Sequence, residues 1–512
     1  MLNFLLALAP IFIILALMVG FRWSAARSGA VGYLSAAVIA VAFFGAGPQL
    51  LAVAHGKALL LTIDVLYIIW MAFLLYRIAD EAGAIKIIGD ALPQLTSDRG
   101  MQALIMGWVF ASFLQGVGGF GVPVAVIAPL MVGLGFTPLS AVVIPSVGHS
   151  WAMTFGSLGS SFNAMMAATG LSWDTLAAPT AVFLGVAGIS AGFMVAHAAG
   201  GWTALRRLFV PALLIGLVMS AAQYLGATLG LWHIGAFLGS LAGLIIAYPL
   251  ARRYRGLQNH PREINPRQVI IAVSGYVLLI AITLCVQLIP SLHNALGGVV
   301  FSLNFPEVST SLGVVTPAGA GRAIPIFRHA GAILFYASIL SYWIYRRAGS
   351  YAPGAAKRIL HGTITRVISS SLGIASMVAM AVIMQHAGMT EVLARGLAQG
   401  VGQLFPLAAP WIGALGAFMT GSNTNSNVVF AALQMRTAEL LGYSVAVILA
   451  AQTSGGALGS VIAPTKIIVG ASTGGMAGKE GEIMRKLLGY TGVLIAIISL
   501  LALIGVFINP LS

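Results

Sequence analysis

Apolar residues run along this chain in long blocks, and polar positions are confined to short breaks between them. A membrane-spanning helix needs about 20 predominantly apolar residues. Blocks of that kind, some shorter, fall at 3–20, 31–53, 58–78, 102–116, 121–135, 138–159, 178–198, 208–230, 233–250, 268–290, 329–345, 362–387, 409–420, 426–435, 441–463 and 488–508. The blocks too short to cross alone cluster in two places, 102–135 and 409–435, and each pair is split by a Gly-rich or Ser/Asn-rich break. The pattern predicts an all-α polytopic membrane protein with about 12 transmembrane helices plus two re-entrant hairpins.

Composition excludes a soluble domain. Hydrophobic residues make up 59% of 512 and charged residues 7%, where a soluble domain carries about a quarter. The net charge of +14 is spread over short blocks between the apolar runs: Arg206-Arg207, Arg252-Arg253-Arg255, Arg346-Arg347, Lys357-Arg358 and Arg485-Lys486. Short basic loops stay on the cytoplasmic side, so the bilayer is the partner these charges address. A nucleic-acid interface would need a contiguous basic face with aromatic platforms, and none is present.

Met1 to Gly20 lack a basic leading region, and Arg22 and Arg27 follow the run, which predicts a retained first span with its N-terminus outside. Alternation from there brings 58–78 inward to Arg77, Asp80 and Glu81, leaves 291–328 outside, and returns Arg346 to Arg358 inside. The polar stretch 251–267 reads as a cytoplasmic connector between a first half, 1–250, and a second half, 268–512. The single cysteine, Cys285, excludes an intramolecular disulfide and a CxxC metal site, and no HExxH motif occurs; no metal or cofactor is expected.

A repeat displaced by about 305 residues relates the halves. Ala82-Gly83 matches Ala387-Gly388, Phe113-Leu114-Gln115-Gly116 matches Phe418-Met419-Thr420-Gly421, and Gly156-Ser157-Leu158-Gly159-Ser160 matches Gly456-Ala457-Leu458-Gly459-Ser460. Block 58–78 enters the cytoplasm whereas its partner 362–387 leaves it, so the repeat is predicted to be inverted. Inverted halves with broken helices near the midplane are a transporter design.

The first break contains Gln115, Gly116, Gly118, Gly119 and Gly121. It matches GxGxxG, but an apolar helix rather than a strand precedes it and no acidic residue follows at the required distance, so a dinucleotide site is excluded. Four glycines in six residues exceed what a packing seam needs, and broken backbone in hydrocarbon survives only when buried in protein or facing a wet cavity. The second break, Thr420-Gly421-Ser422-Asn423-Thr424-Asn425-Ser426-Asn427, offers seven uncharged polar side chains, donors and acceptors that carry no charge to desolvate. Paired helix N-termini there would attract a carboxylate.

Among ionisable residues, His149, beside Ser150, lies within an apolar block; its repeat counterpart is near Ser454-Gly455. It reads as a proton relay or anion contact, or as a packing histidine. Lys466 reads as a counter-charge for a bound anion or as a snorkelling lysine. Asp64, Asp174, Arg77, His386, Glu391, Arg395 and Arg436 fall near predicted span ends and read as solvated. Gly478-Lys479-Glu480 lacks the first glycine and the Ser/Thr of a phosphate loop.

At Ser112 to Gly116, Phe120 to Ala125, Gly133 to Leu139, Thr420 to Asn427, Ser454-Gly455-Gly456 and Gly478-Lys479-Glu480 the chain resembles the bacterial L-lactate permease family. The resemblance implies proton-coupled uptake of lactate or glycolate across the bacterial inner membrane, with the hairpin-tip residues as substrate contacts and no catalysis. Ser422-Asn423-Thr424 also looks like the tip signature of divalent-anion/sodium symporters, which keeps a sodium-coupled di- or tricarboxylate symporter as the alternative. The chain departs from the family pattern at Gln115, where the family carries an acid, at His149, where it carries a carboxamide, and at Lys466, an added cation. The expected substrate site therefore comprises Gln115, Gly116, Gly118, Gly119, Gly121, His149, Ser150, Ser422, Asn423, Thr424, Asn425, Ser426, Asn427, Ser454 and Gly455, with His149 and Lys466 as the proton-coupling or counter-charge pair.

Overall fold

The computed structural model describes residues 2–21, 23–118, 121–254 and 265–508; Gly119 and most of the expected connector 251–267 lie outside the described residues. Among those described, nine helical stretches are long and apolar enough to cross a membrane. The chain is an all-α polytopic membrane protein. The stretch Trp173–Arg253 contains three legs, because Gly201 and Gly230 take positive φ (67° and 81°) and turn the chain where the sequence predicts span ends.

One segment departs from the helical rule. The expected external loop 291–328 contains a short helix, Pro290–Gly297, and then a ribbon of three nested antiparallel pairs. Val300 faces Pro325, Asn304 faces Ala320 and Val308 faces Thr316. Val300, Val308 and Val315 are β-branched, which favours extended backbone over a helix there. The ribbon packs on one end of the bundle, where the Ser311 N–H donates to the Gly45 carbonyl at 2.9 Å. At the other end sit the basic blocks: Arg207 holds Asp98 through two bonds of 2.6 and 3.1 Å, Arg358 holds Glu81 at 2.7 Å, and Thr96 donates to the Tyr254 carbonyl at 3.0 Å.

The predicted span 138–159 is a broken segment and not one helix. Helix Pro138–Gly148 stops at His149, a single 3₁₀ turn covers Ser150–Met153, and Ser157, Leu158 and Gly159 all have positive φ before helix Ser160–Thr169 begins. An apolar window does not register this interruption, because most of the residues through it are small or apolar. Every residue from Ala141 to Met166 is buried, so the opened backbone meets protein and not lipid. The second half repeats the arrangement. Helix Val445–Gly459 passes through a 3₁₀ turn, and Ala463, held extended by the following Pro464, separates it from helix Pro464–Thr473.

The two broken segments are seated by the same contact on the helices that precede them. A Cβ on Gly148 would lie 2.0 Å from the Gly107 carbonyl oxygen, and a Cβ on Gly455 would lie 1.9 Å from that of Pro410. Both positions therefore admit only glycine. Gly107 and Pro410 are 303 residues apart and Gly148 and Gly455 are 307 apart. Two cores surround this centre: one built on Trp108 and Trp151, the other joining the first helices to 367–394.

Candidate functional site

The second break is a helical hairpin tip. Helix Phe405–Thr420 ends where Gly421 adopts φ 69°, and Ser422 caps the next helix, Asn423–Leu441, its Oγ accepting from the Asn425 N–H at 3.3 Å. The hairpin is closed by Ser426 Oγ donating to the Gly413 carbonyl at 2.7 Å and Gln434 donating to that of Ala409 at 3.0 Å. Asn423, Thr424, Asn425, Ser426 and Asn427 are all buried. Buried polar groups must be paired, and most of these pair with the two broken segments. Asn423 Nδ2 donates to Thr154 Oγ1 (3.0 Å) and Thr453 Oγ1 (3.3 Å), and Asn427 Nδ2 donates to Thr453 Oγ1 (2.8 Å) and the Ser161 carbonyl (2.9 Å). Thr154 and Thr453 bond each other at 3.1 Å, as do Ser161 and Thr424 at 3.0 Å. The two halves of the chain thus meet through hydroxyls and carboxamides.

Beside this meeting point lies a cleft of about 30 Å³ lined by Gln115, Met153, Ser157, Ser160, Ser161, Gly421, Ser422, Asn423, Thr424 and Lys466. Space of that size holds about two water molecules, so a larger occupant requires the tip to part from the broken segment. Helices Ser160–Thr169 and Asn423–Leu441 both begin at the cleft. Each N-terminus carries roughly half a positive charge, though the Asn425 and Phe162 N–H groups are already capped by Ser422 Oγ and the Thr154 carbonyl. Lys466 adds a basic amine, its Nζ donating to Ser460 Oγ at 3.1 Å and touching Met153 Sδ at 3.4 Å. Among the described residues no carboxylate lines the cleft. Helix N-termini and a lysine amine around such a cleft are groups that can hold an anion.

Four of the fifteen expected contacts, Gln115, Ser422, Asn423 and Thr424, line this cleft together with Lys466. Gln115 Nε2 donates to Ser157 Oγ at 3.4 Å. Asn425 and Ser426 face a smaller gap behind the tip, and Asn427 is committed to Ser161 and Thr453. Gly116, Gly118 and Gly121 do not line the cleft: a Cβ on Gly116 would reach 3.0 Å from Phe237 Cα, one on Gly118 would reach 3.0 Å from the Tyr76 ring, and Gly121 has φ 86° at the start of helix Val122–Gly133. His149 is buried with Nδ1 2.5 Å from the Pro145 carbonyl and, among the described residues, no partner for Nε2. Ser150 Oγ donates to the Val147 carbonyl at 2.7 Å, Ser454 Oγ has no partner among the described residues, and Gly455 packs on Pro410.

Thr154, Thr453, Ser157, Ser160 and Ser161 were not among the expected contacts, although the first four stand in or beside the repeated Gly/Ser motifs. A second group corrects the sequence reading more sharply. Asp64 is 1% exposed, in the middle of helix Pro48–Glu81 and not at a solvated end. Its Oδ2 accepts from Arg322 Nε (3.1 Å) and Asn163 Nδ2 (2.8 Å), and its Oδ1 accepts from His329 Nε2 (3.0 Å). Arg322 also donates to Asn163 Oδ1 at 3.2 Å, and His329 stacks on Tyr67 with centroids 5.0 Å apart. His386, likewise read as solvated, is buried against Lys57. Asp174 is exposed, and Glu391 pairs with Arg395 and Arg436 at the surface.

A bundle of apolar helices that encloses a dense polar surface at interrupted backbone defines a multi-pass membrane permease. The family model for L-lactate permease matches residues 3–509, and the chain belongs to that family. It is 27% identical to a glycolate permease of Escherichia coli, over 99% of this chain and 96% of that one. It is 28% identical to the L-lactate permease of the same organism and 29% identical to that of Bacillus subtilis, in each case over 82% of this chain and 80% of the relative. Among solved structures it is similar to the Alcanivorax borkumensis YdaH transporter, with a TM-score of 0.49 and 15% identity over 89% of this chain and 87% of that one.

Proposed function

We propose that this protein takes up a small monocarboxylate, such as L-lactate or glycolate, by proton symport across the bacterial inner membrane. The observation that carries the reading is the cleft where two helix N-termini and the Lys466 ammonium converge with no carboxylate among the lining residues to neutralise them. One lysine amine and a ring of hydroxyls and carboxamides suit one carboxylate with an adjacent hydroxyl. The names of the relatives support that cargo class, and none of them supports a sodium-coupled di- or tricarboxylate symporter.

In this reading the pairs 102–135 and 409–435 are re-entrant hairpins among about 12 spans. Halves 1–250 and 268–512 are inverted repeats joined by a cytoplasmic connector, which places the basic end inside and the ribbon outside. The recurrent Gly148 and Gly455 contacts support the repeat. His149 carries the proton: it is buried beside Ser150, and its Nε2, which has no partner among the described residues, is the nitrogen of its ring not committed to backbone.

The test is uptake of labelled L-lactate and glycolate into proteoliposomes with an inward proton gradient and no sodium. Accumulation abolished by a protonophore is the expected result. Failure of both substrates to accumulate under the proton gradient overturns the proposal.

A further inference from the structure

A second, larger cavity, of about 440 Å³, lies between helix Pro48–Glu81, the ribbon and the end of helix Ala355–His386 on one side and helices Ser160–Thr169 and Asn423–Leu441 on the other. Lys57, Arg322 and His386 line it, and among the described residues no Asp or Glu does. His386 Nδ1 lies 2.9 Å from the Val382 carbonyl, an acceptor only, so Nδ1 carries the ring proton and Nε2 presents a lone pair. The Lys57 ammonium donates to that lone pair at 3.2 Å. Two of its three N–H donors remain, and among the described residues no carboxylate is within ion-pair distance of it. The nearest acid on its own helix, Asp64, stands two turns away, about 10 Å along the axis, and is already held by Arg322, His329 and Asn163. Phe305 of the ribbon covers the ammonium from 5.8 Å. Lys57 is therefore a cation without a counter-ion among the described residues, at the wall of a cavity large enough for a small ligand.

The cavity also lies close to the tip. Val428 and Val429 of helix Asn423–Leu441 line it, five to six residues from the tip, or about 8 Å along the helix. Helices Ser160–Thr169 and Asn423–Leu441 pack together at that point, joined by the Ser161–Thr424 and Asn427–Ser161 bonds.

We propose that Lys57, with His386 fixing its position and Arg322 alongside, forms a carboxylate-capture site that receives the substrate anion before the tip opens to it. The inference takes its ligand class from the function proposed above, and it places a second site where that function requires only one. A capture site built on charge alone selects for a carboxylate and not for the neighbouring hydroxyl, so acetate and propionate compete there as well as L-lactate does.

The experiment is equilibrium binding of labelled L-lactate to the full chain in detergent at fixed ionic strength, with uptake kinetics alongside, for wild type, Lys57→Gln, Lys57→Arg and Asn423→Ala. Two classes of site are expected in wild type. Acetate competes at the one lost in Lys57→Gln, and the other is weakened about 10-fold in Asn423→Ala. Lys57→Gln raises the apparent KM roughly 5- to 10-fold, as expected for loss of one charge-assisted hydrogen bond in a part-open site, with uptake at saturation retained and Lys57→Arg restoring most of the affinity. Unchanged binding and KM in Lys57→Gln overturn the proposal. Should that variant not fold, protection of Lys57 in the wild type from an amine-acylating reagent decides the matter: protection by acetate supports capture, and none overturns it. If wild type binds no L-lactate, the cargo is wrong; acetate or propionate binding that depends on Lys57 still supports the capture site, and no carboxylate binding of any kind sinks both.

Discussion

Replacing Asp64 by Asn tests whether the buried polar cluster at the ribbon is an ion pair held by its partners or a set of separate contacts. At an effective dielectric of about 20, charges 3.1 Å apart attract by about 5 kcal/mol. Burying the carboxylate costs several kcal/mol, so the pair as a whole contributes little net stability. Removing one member is different. His329 Nδ1 accepts from the Gly331 N–H at 3.2 Å, so Nε2 must donate toward residue 64. Asn163 Nδ2 and Arg322 Nε donate toward it from the other side. A carboxamide at this position has one acceptor oxygen for two donor faces, and whichever way it is turned an N–H opposes an N–H. Breaking a buried pair costs about 3–5 kcal/mol; Arg322 is 27% exposed and His329 only 7%, and water can recover part of the Arg322 share, which lowers the expectation to about 2–4 kcal/mol. In Asp64→Asn/Arg322→Gln the introduced glutamine oxygen can accept from the introduced asparagine amide, and no unpaired cation remains. The double variant should then be more stable than the sum of the singles by about 1.5–3 kcal/mol. Equilibrium unfolding of the four proteins in mixed detergent micelles measures this cycle. Additivity within about 0.5 kcal/mol would show that Asp64 and Arg322 do not act as a pair and would refute the argument.

Asn423→Ala removes the donor that ties the tip to Thr154 and Thr453, so the apparent substrate constant should rise about 10-fold, or about 1.4 kcal/mol for the two bonds together, with the folded yield unchanged; wild-type uptake kinetics would detach the tip from binding. Gly455→Ala sets a methyl 1.9 Å from the Pro410 carbonyl, whereas Gly489→Ala meets nothing within 4 Å, so size-exclusion chromatography should show loss of monodisperse protein for the first and none for the second. His149→Gln removes the titratable ring while keeping a side chain able to reach the Pro145 carbonyl. Proton-driven accumulation should disappear and substrate exchange at equal concentrations should persist; retained accumulation would assign the proton to another group.

The fold was legible because lipid imposes a length and an apolarity on every span, and both are written in the sequence. The tip was legible for a related reason: seven polar side chains in eight residues have no place in an apolar run unless they face each other. What escaped was polarity that is sparse along the chain and dense in space. Thr154, Ser160 and Ser161 each look ordinary in a window averaged with Trp151, Phe155 and Leu158, and only the left-handed turn at Ser157, Leu158 and Gly159 brings them to the tip. Asp64 carried a signal that was misjudged. A carboxylate seven residues into an apolar block cannot reach water as a long Lys or Arg side chain does, so its presence alone demands partners. Those partners, Asn163, Arg322 and His329, lie 99, 258 and 265 residues away, two of them in or beside a loop that reads as solvated. The short carboxylate was therefore the better predictor of a buried cluster than any of the long cations, and the same reasoning singles out Lys57. A cation at mid-wall whose nearest acid on its own helix is already held by three donors, with no carboxylate among the described residues within ion-pair distance, states which charge is missing from its immediate surroundings.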